Sequence, residues 1–532
     1  MKLLCFLLAV IASAAQARDT RIAQIDRVFK EWGPATPGCA VGVAEAGKPA
    51  LIRAYGMADL EHDIPIGADT IFEAGSVSKQ FTAAAVALLA RDGKLSLDDQ
   101  VRTFIPELPD YGAPLTIRHM LNHTSGLRDW GSVAALSGWP RGSRAFTQAT
   151  MLDIVTRQRA LNFTPGTRWS YSNSGYNLAV VIVERVAGMS FSQFTRERIF
   201  VPLGMRDSSW RDDHTRIVKR RALAYGRETD GFHTMMPFEN VIGNGGMLTT
   251  IGDLLKWQQN FSTPRVGDAR MLLDAATPGV FSDGRAHGYG LGLATGSYRG
   301  VHEVQHGGAT AGYRAYLSRY PAQQVSIALL CNAAEVNADK VNKQLADIVL
   351  AAHLQAKPVP VSRHTLDEAG MARLEGLYRD EQGSTMRVTR QGSELLVNGR
   401  PLFAASVARL ETGDGGALDF GADGALRRSD RYGSVVAYQR VPAWTSPDAA
   451  QLRAFEGVYD SAEAEASLTV VLDKGELTLR ATPGVVMRLK PEFQDAFQIN
   501  GDMLVFRRDA QGKVIGLNTV GGRVWEMRFV RR

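Results

Sequence analysis

Residues 38–57 alternate apolar or small positions with polar ones around Gly47-Lys48, a period of two that predicts a β-hairpin. From Ser76 the spacing changes to that of a helix. Phe81, Ala84, Ala85, Leu88 and Leu89 fall on one face, and Gly93 follows as a C-terminal stop. Helical patterns then alternate with Gly/Pro loops such as Thr164-Pro165-Gly166. The glycines at 288, 290 and 292 lack dinucleotide-binding spacing and are expected to mark a strand. Two more strands are predicted over 312–320 and 325–330, then a helix from Ala338 to about Leu354. Strands at both ends with helices between them predict one sheet, assembled from the two ends of a single domain.

Lys357-Pro358-Val359-Pro360-Val361 reads as a stiff linker. Beyond it the chain is strand-rich and repeats itself. Leu374-Glu375-Gly376-Leu377-Tyr378 echoes Phe455-Glu456-Gly457-Val458-Tyr459. Leu418-Asp419-Phe420 with Asp423-Gly424 echoes Leu504-Val505-Phe506 with Asp509 and Gly512. Each unit ends in an alternating strand, and a second linker runs from Pro442 to Pro447. Two small antiparallel β-barrels are predicted. The expected division is a first domain over 18–356, a linker over 357–372, a barrel over 373–442, a linker over 443–451 and a barrel over 452–532.

The length of 532 residues, with 45% hydrophobic and 22% charged positions, fits several globular domains. A net charge of +6 without a basic run gives no reason to expect nucleic acid as a partner. The oligomeric state is left open.

Residues 1–17 carry a positive start, an apolar run and Ala15-Gln16-Ala17, the pattern of a secretory signal peptide. The chain is therefore expected to be exported, periplasmic or extracellular, with no later stretch long enough to span a membrane. Removing the leader leaves Cys39 and Cys331, too few for a disulfide framework or a four-cysteine zinc site.

Three strings carry the chemistry: Ser76-Val77-Ser78-Lys79, Tyr171-Ser172-Asn173 and His306-Gly307-Gly308. In a helix, positions i and i+3 share a face, so Ser76 Oγ and Lys79 Nζ can meet. Ser76 in a first turn also has free N–H groups and the helix dipole beside it. A lysine in a partly apolar pocket loses part of its preference for charge and can take the serine proton, directly or through Tyr171. Asn173 can hydrogen-bond Lys79 and a substrate amide. The small residues of the third string let a substrate lie along a strand edge. The backbone N–H groups of Ser76 and Ala309 would then form the oxyanion hole.

With these strings the chain resembles the penicillin-recognising serine hydrolases, on the branch holding class C β-lactamases, D,D-peptidases, esterases and D-aminopeptidases. The resemblance covers residues 25–355 and includes non-catalytic stretches such as Val201-Pro202-Leu203-Gly204-Met205 and Gly245-Gly246-Met247-Leu248-Thr249-Thr250. It implies an α/β catalytic domain of β-lactamase/transpeptidase type, an antiparallel sheet flanked by helices plus a helical subdomain. It implies Ser76 as nucleophile, Lys79 and Tyr171 as base pair, and Asn173, His306, Gly307, Gly308 and Ala309 as oxyanion and substrate-binding residues. No metal and no cofactor are implied. The first and last strands of such a domain are neighbours, which implies that Cys39 and Cys331 lie close.

The two trailing barrels are similar to those of three-domain D-aminopeptidases, which use a long loop of the last barrel to close the pocket. The matching stretch here, Gln498-Ile499-Asn500-Gly501-Asp502, is expected to be only a tight turn. Relatives that bind a substrate carboxylate often carry Lys where this chain has His306. A largely neutral imidazole and a hydroxyl-free Gly308 therefore imply tolerance of amides and esters without a free carboxylate.

The expected reaction is hydrolysis of small peptides or amides with an N-terminal D-residue, through an acyl-enzyme. Esterase, D,D-carboxypeptidase or β-lactamase activity is the alternative within the family. From other classes come a catalytically inactive binding protein and a zinc protease. The zinc reading rests on His302-Glu303-Val304-Gln305-His306, which satisfies H-E-x-x-H. The glycines around the string favour a strand, in which the two histidines stand ~13 Å apart and cannot share a metal. His119 and His123 lack the glutamate and are read as a structural pair.

Overall fold

A computed structural model describes residues 19–356, 362, 364–381, 383–430, 435–481, 485–499 and 501–532. The leader over 1–17 and the linker core over 357–361 lie outside the described residues. The hairpin forms as predicted: β1 (Cys39–Glu45) and β2 (Lys48–Tyr55) turn at Ala46-Gly47. Late in the domain follow β3 (Ala294–Tyr298), β4 (Val301–Thr310), β5 (Tyr313–Tyr320) and β6 (Val325–Cys331). They form one antiparallel six-stranded sheet in the order β3-β4-β5-β6-β1-β2. The two ends of the domain meet at β1–β6, where Cys39 stands opposite Cys331. The two are disulfide-bonded, with Cα atoms 4.0 Å apart.

Helices cover both faces of the sheet. α1 (Lys79–Arg91) is buried from Lys79 to Leu89, its polar Lys79, Gln80 and Thr82 included, which makes it the core helix of the domain. α2 (Ser174–Ala187) packs against it and ends at Gly188 in the left-handed conformation. α3 (Ile251–Asn260) lies on β1 so closely that a Cβ at Gly42 would come within 2.5 Å of Ile251. On the opposite face, α4 (Ala338–Val349) buries Leu345 and Ala346 against Ile327 and Leu329.

Two expectations are corrected. The α-helix expected from Ser76 begins at Lys79, because Gly75 takes a positive φ of 50° and turns 75–78 into a 3₁₀ turn. The glycines at 288, 290 and 292 are not in a strand. They form a loop that runs against other backbone: a Cβ at Gly292 would sit 2.8 Å from the Lys79 carbonyl, and one at Gly290 2.4 Å from that of Ala275.

The C-terminal third holds two antiparallel barrels. The first runs over eight strands from Gly376–Asp380 to Val435–Arg440 and closes on itself around Leu395, Leu402, Leu410, Leu418 and Leu426. The second is a nine-stranded sheet that stops short of closure between Val485–Arg488 and Lys490–Phe493. Pro491 stands on that edge strand, where the pairing register shifts between Pro491 and Phe493.

The repeated string does the same work twice. Tyr378 donates to the Leu374 carbonyl and Tyr459 to that of Phe455. A closing-strand arginine, Arg440 or Arg531, donates to the carbonyl before each repeat's glycine. Ile499 pairs with Asp502, so the short connection expected at 498–502 is present, with Asn500 outside the described residues.

Candidate active site

Ser76 sits in the 3₁₀ turn at the start of α1, and β4 is pressed against that turn. The approach leaves no room for side chains. A Cβ at Gly308 would lie 2.1 Å from the Ala74 carbonyl oxygen and 3.1 Å from Ser76 N, and one at Gly75 would lie 2.7 Å from Ala309 N. The Ser76 and Ala309 amides are thereby brought to neighbouring positions on facing segments. They are the pair expected to bind an oxyanion.

Lys79, one helical turn on, is fully buried. Its ammonium donates to Ser76 Oγ at 3.1 Å, to Asn173 Oδ1 at 2.9 Å and to the Asn244 carbonyl at 2.7 Å. None of these acceptors carries a full charge. Desolvation, aided by the positive charges of Arg523 and Arg141, therefore pushes its pKa well below the ordinary lysine range. Loss of one proton leaves two N–H donors for the two carbonyl-type oxygens and a lone pair toward Ser76 Oγ.

Tyr171 lies beside both, with Lys79 Nζ 4.8 Å from its ring centre, and lines the same cavity as Ser76. Burial pushes this phenol up to about 12, against the lowering effect of the Ser76 hydroxyl and of Arg523. The phenol therefore keeps its proton. Asn173 is held from behind, since its backbone N–H donates to Asp129 Oδ2 at 2.8 Å.

His306 is buried, and burial first of all, with Lys79 beside it, lowers its pKa to about 3, so the ring is neutral. Its Nδ1 faces the Gly307 carbonyl at 2.6 Å, an acceptor only, so Nδ1 carries the proton. Nε2 then accepts from the Tyr289 hydroxyl at 2.8 Å. The H-E-x-x-H string lies in β4, with His302 exposed and Glu303 bonded to the Tyr320 hydroxyl at 2.9 Å. The strand geometry expected for it is the one found.

His119 and His123 do different jobs and do not act as a pair. His119 closes the capping box of Thr116 on the helix Ile117–Leu121. His123 accepts from Ser172 N at 3.2 Å and stacks 4.2 Å from the Tyr171 ring.

Ser76, Lys79, Tyr171, Asn173, His306, Gly307, Gly308 and Ala309 thus converge, all but Lys79 lining one cavity of about 480 Å³. Three contributors carried no signal in the sequence. Asn244 acts through a backbone carbonyl, and Tyr289 acts behind His306. Arg523 arrives from the last barrel, its guanidinium 4.8 Å over the Tyr171 ring.

An antiparallel sheet with a Ser-x-x-Lys turn held against its strand β4 defines a class, the serine hydrolases built on the β-lactamase fold. The Beta-lactamase family model matches residues 25–351, and the chain belongs to that family. The chain is similar to the D-aminopeptidase of Cereibacter sphaeroides (strain KD131 / KCTC 12085), 28% identical over 451 residues, 82% of this chain and 81% of that protein. It is also similar to the D-aminopeptidase of Brucella anthropi (strain ATCC 49188), 28% identical over 525 residues, 93% of this chain and 94% of that one. Among solved structures, the D-amino acid amidase from Ochrobactrum anthropi SV3 shares the fold, with a TM-score of 0.53 and 24% identity over 64% of this chain and 98% of that one. The chain is a serine hydrolase of the β-lactamase family with two C-terminal antiparallel barrels. Among the described residues no single helix is long and apolar enough to cross a membrane.

Proposed function

We propose that this chain hydrolyses small peptides or amides with an N-terminal D-residue, through an acyl-enzyme on Ser76. The observation that carries the chemistry is a buried lysine amine 3.1 Å from Ser76 Oγ with its proton affinity lowered. Ser76 Oγ attacks the carbonyl carbon as its proton passes to Lys79 Nζ, and charge develops on the carbonyl oxygen between the Ser76 and Ala309 amides. The C–N bond then breaks, and Tyr171 passes the proton from Lys79 to the leaving amine. Water adds to the ester by the reverse route and frees the acid and Ser76.

The D-residue preference rests on the two D-aminopeptidase relatives, whose similarity extends past the catalytic domain into the barrels. Export is supported by the leader pattern and by the Cys39–Cys331 bond, since disulfides persist in oxidising compartments. A neutral His306 supports turnover of substrates with no charge at that end of the site.

A panel of D- and L-amino-acid amides, p-nitrophenyl esters, a D-Ala-D-Ala peptide and a chromogenic cephalosporin tests the substrate class. The expected result is a kcat/KM for at least one D-amino-acid amide tenfold or more above its L-enantiomer and above the cephalosporin. Turnover confined to esters or to the cephalosporin would overturn the D-amidase assignment.

A further inference from the structure

Resting on that reading and deepening it, we propose that the last barrel reads substrate charge: Arg523, with Arg314, binds a carboxylate on the substrate held at Ser76. Arg523 follows Gly521-Gly522 at the turn between the strands Val514–Gly521 and Val524–Arg531. That turn is clamped to the catalytic domain. The Arg523 carbonyl accepts from Asp129 N at 3.3 Å and from Asn162 Nδ2 at 3.1 Å. Trp525 N donates to Asn162 Oδ1 at 3.0 Å, and the Trp525 ring packs 4.8 Å from Phe163. A second clamp is the ion pair of Arg128 with Glu463 at 2.7 Å. The element that enters the site is therefore this hairpin and not the short turn at 498–502.

An arginine whose task was to fasten the barrel would be used up in a close ion pair. Arg523 is not. Among the described residues its one carboxylate neighbour is Asp129 Oδ2 at 3.7 Å, beyond hydrogen-bond range. The Asp129 oxygens already accept from Ser132 N at 3.1 Å and Asn173 N at 2.8 Å. The Arg523 side chain is 44% exposed and lines the Ser76 cavity, with donors to spare.

The charge lining that cavity points the same way. Its charged residues are Arg141, Arg314, Arg523 and Asp339. Arg141 is paired with Glu239, and Asp339 with Lys343 at 2.7 Å. Arg314, opposite Ala309 in the β4–β5 register, donates to the Ala311 and Tyr313 carbonyls and has no carboxylate within 4.0 Å among the described residues. Two guanidiniums are left facing the space beside the nucleophile, and a planar guanidinium fork matches a carboxylate. His306 supplies no charge, so the anion is read on the Arg523 side of Tyr171.

The carboxylate can stand on the acyl residue or at the C-terminus of the leaving group, and two isosteric pairs separate these sources. One is D-glutamate α-amide against D-glutamine α-amide. The other is D-alanyl-glycine against D-alanyl-glycinamide. In wild type at least one carboxylate member is expected to exceed its neutral partner tenfold or more in kcat/KM. Arg523→Met is expected to bring that ratio to within about threefold of unity, and Arg523→Lys to retain a ratio between the two. A ratio unchanged in Arg523→Met, or a wild type that prefers the neutral member of both pairs, overturns the proposal. Calorimetric binding of D-glutamate against D-glutamine is read in parallel and needs no turnover. Absent hydrolysis then counts against the function proposed for Ser76, and equal binding of the two counts against Arg523.

Discussion

Burying an amine among uncharged acceptors strips the ammonium of its hydration without a compensating anion, and Lys79 is held in that condition at 0% exposure. Deprotonation relieves it, which is why the amine can act as a base well below the ordinary lysine value of ~10.4. Tyr171 is shifted the other way, so the division of labour follows from two opposite responses to one burial. Replacing Lys79 by Met should slow acylation ~10²–10⁴-fold. It should also raise the melting temperature near neutral pH. The sign follows from linkage: between the lowered folded pKa and ~10.4, the unfolded chain holds a proton that the folded chain has released. Wild-type stability therefore climbs with pH through that window, and the advantage of Lys79→Met shrinks toward about pH 10. Thermal unfolding of both proteins at about pH 7 and pH 10 checks it; a constant difference would contradict the neutral-lysine account. At this scale Ser76, Lys79, Tyr171 and His306 were legible because the chemistry resides in their side chains at fixed spacing. Asn244 was not, since any residue there offers the same carbonyl.

Among the elements, β4 and the 3₁₀ turn are the pair on which the site depends, and their separation is set by what position 308 lacks. Gly308→Ala would drive a Cβ to 2.1 Å from a backbone oxygen, so β4 must move away from Ser76. At Gly307 the same addition meets nothing nearer than the Tyr316 ring, at 3.4 Å. Gly308→Ala should therefore cost ~10²–10³-fold in kcat, the scale of a lost oxyanion donor, and Gly307→Ala far less. Equal effects at the two positions would contradict this placement of the oxyanion pair. The hairpin, the two late strands and the helix from Ala338 were readable from periodicity, which reports one buried face. The loop 288–293 was misread because its glycines answer to the backbone of Lys79 and Ala275, contacts that no local pattern records.

At the scale of the whole molecule, the two barrels share a strand-closing device but not a role. The first has an apolar core of its own. The core of the second, with Leu452, Phe455 and Phe529, runs on into that of the catalytic domain. That continuity, with the Glu463 and Trp525 contacts, fixes the last hairpin at the mouth of the site. The repeat was visible in the sequence because each copy rebuilds the same tyrosine bond, to Leu374 or Phe455. Which hairpin would reach Tyr171 was not visible, because docking between distant parts of the chain decides it. All of these arrangements converge on Ser76, the proposed nucleophile. The most direct test is intact-mass and peptide analysis after reaction with an uncharged fluorophosphonate, in wild type and in Ser76→Ala, with and without EDTA. The account predicts a single adduct on the peptide carrying Ser76, unchanged by EDTA and absent from Ser76→Ala. Labelling of Ser76→Ala at the same rate, or hydrolysis that EDTA abolishes, would contradict it.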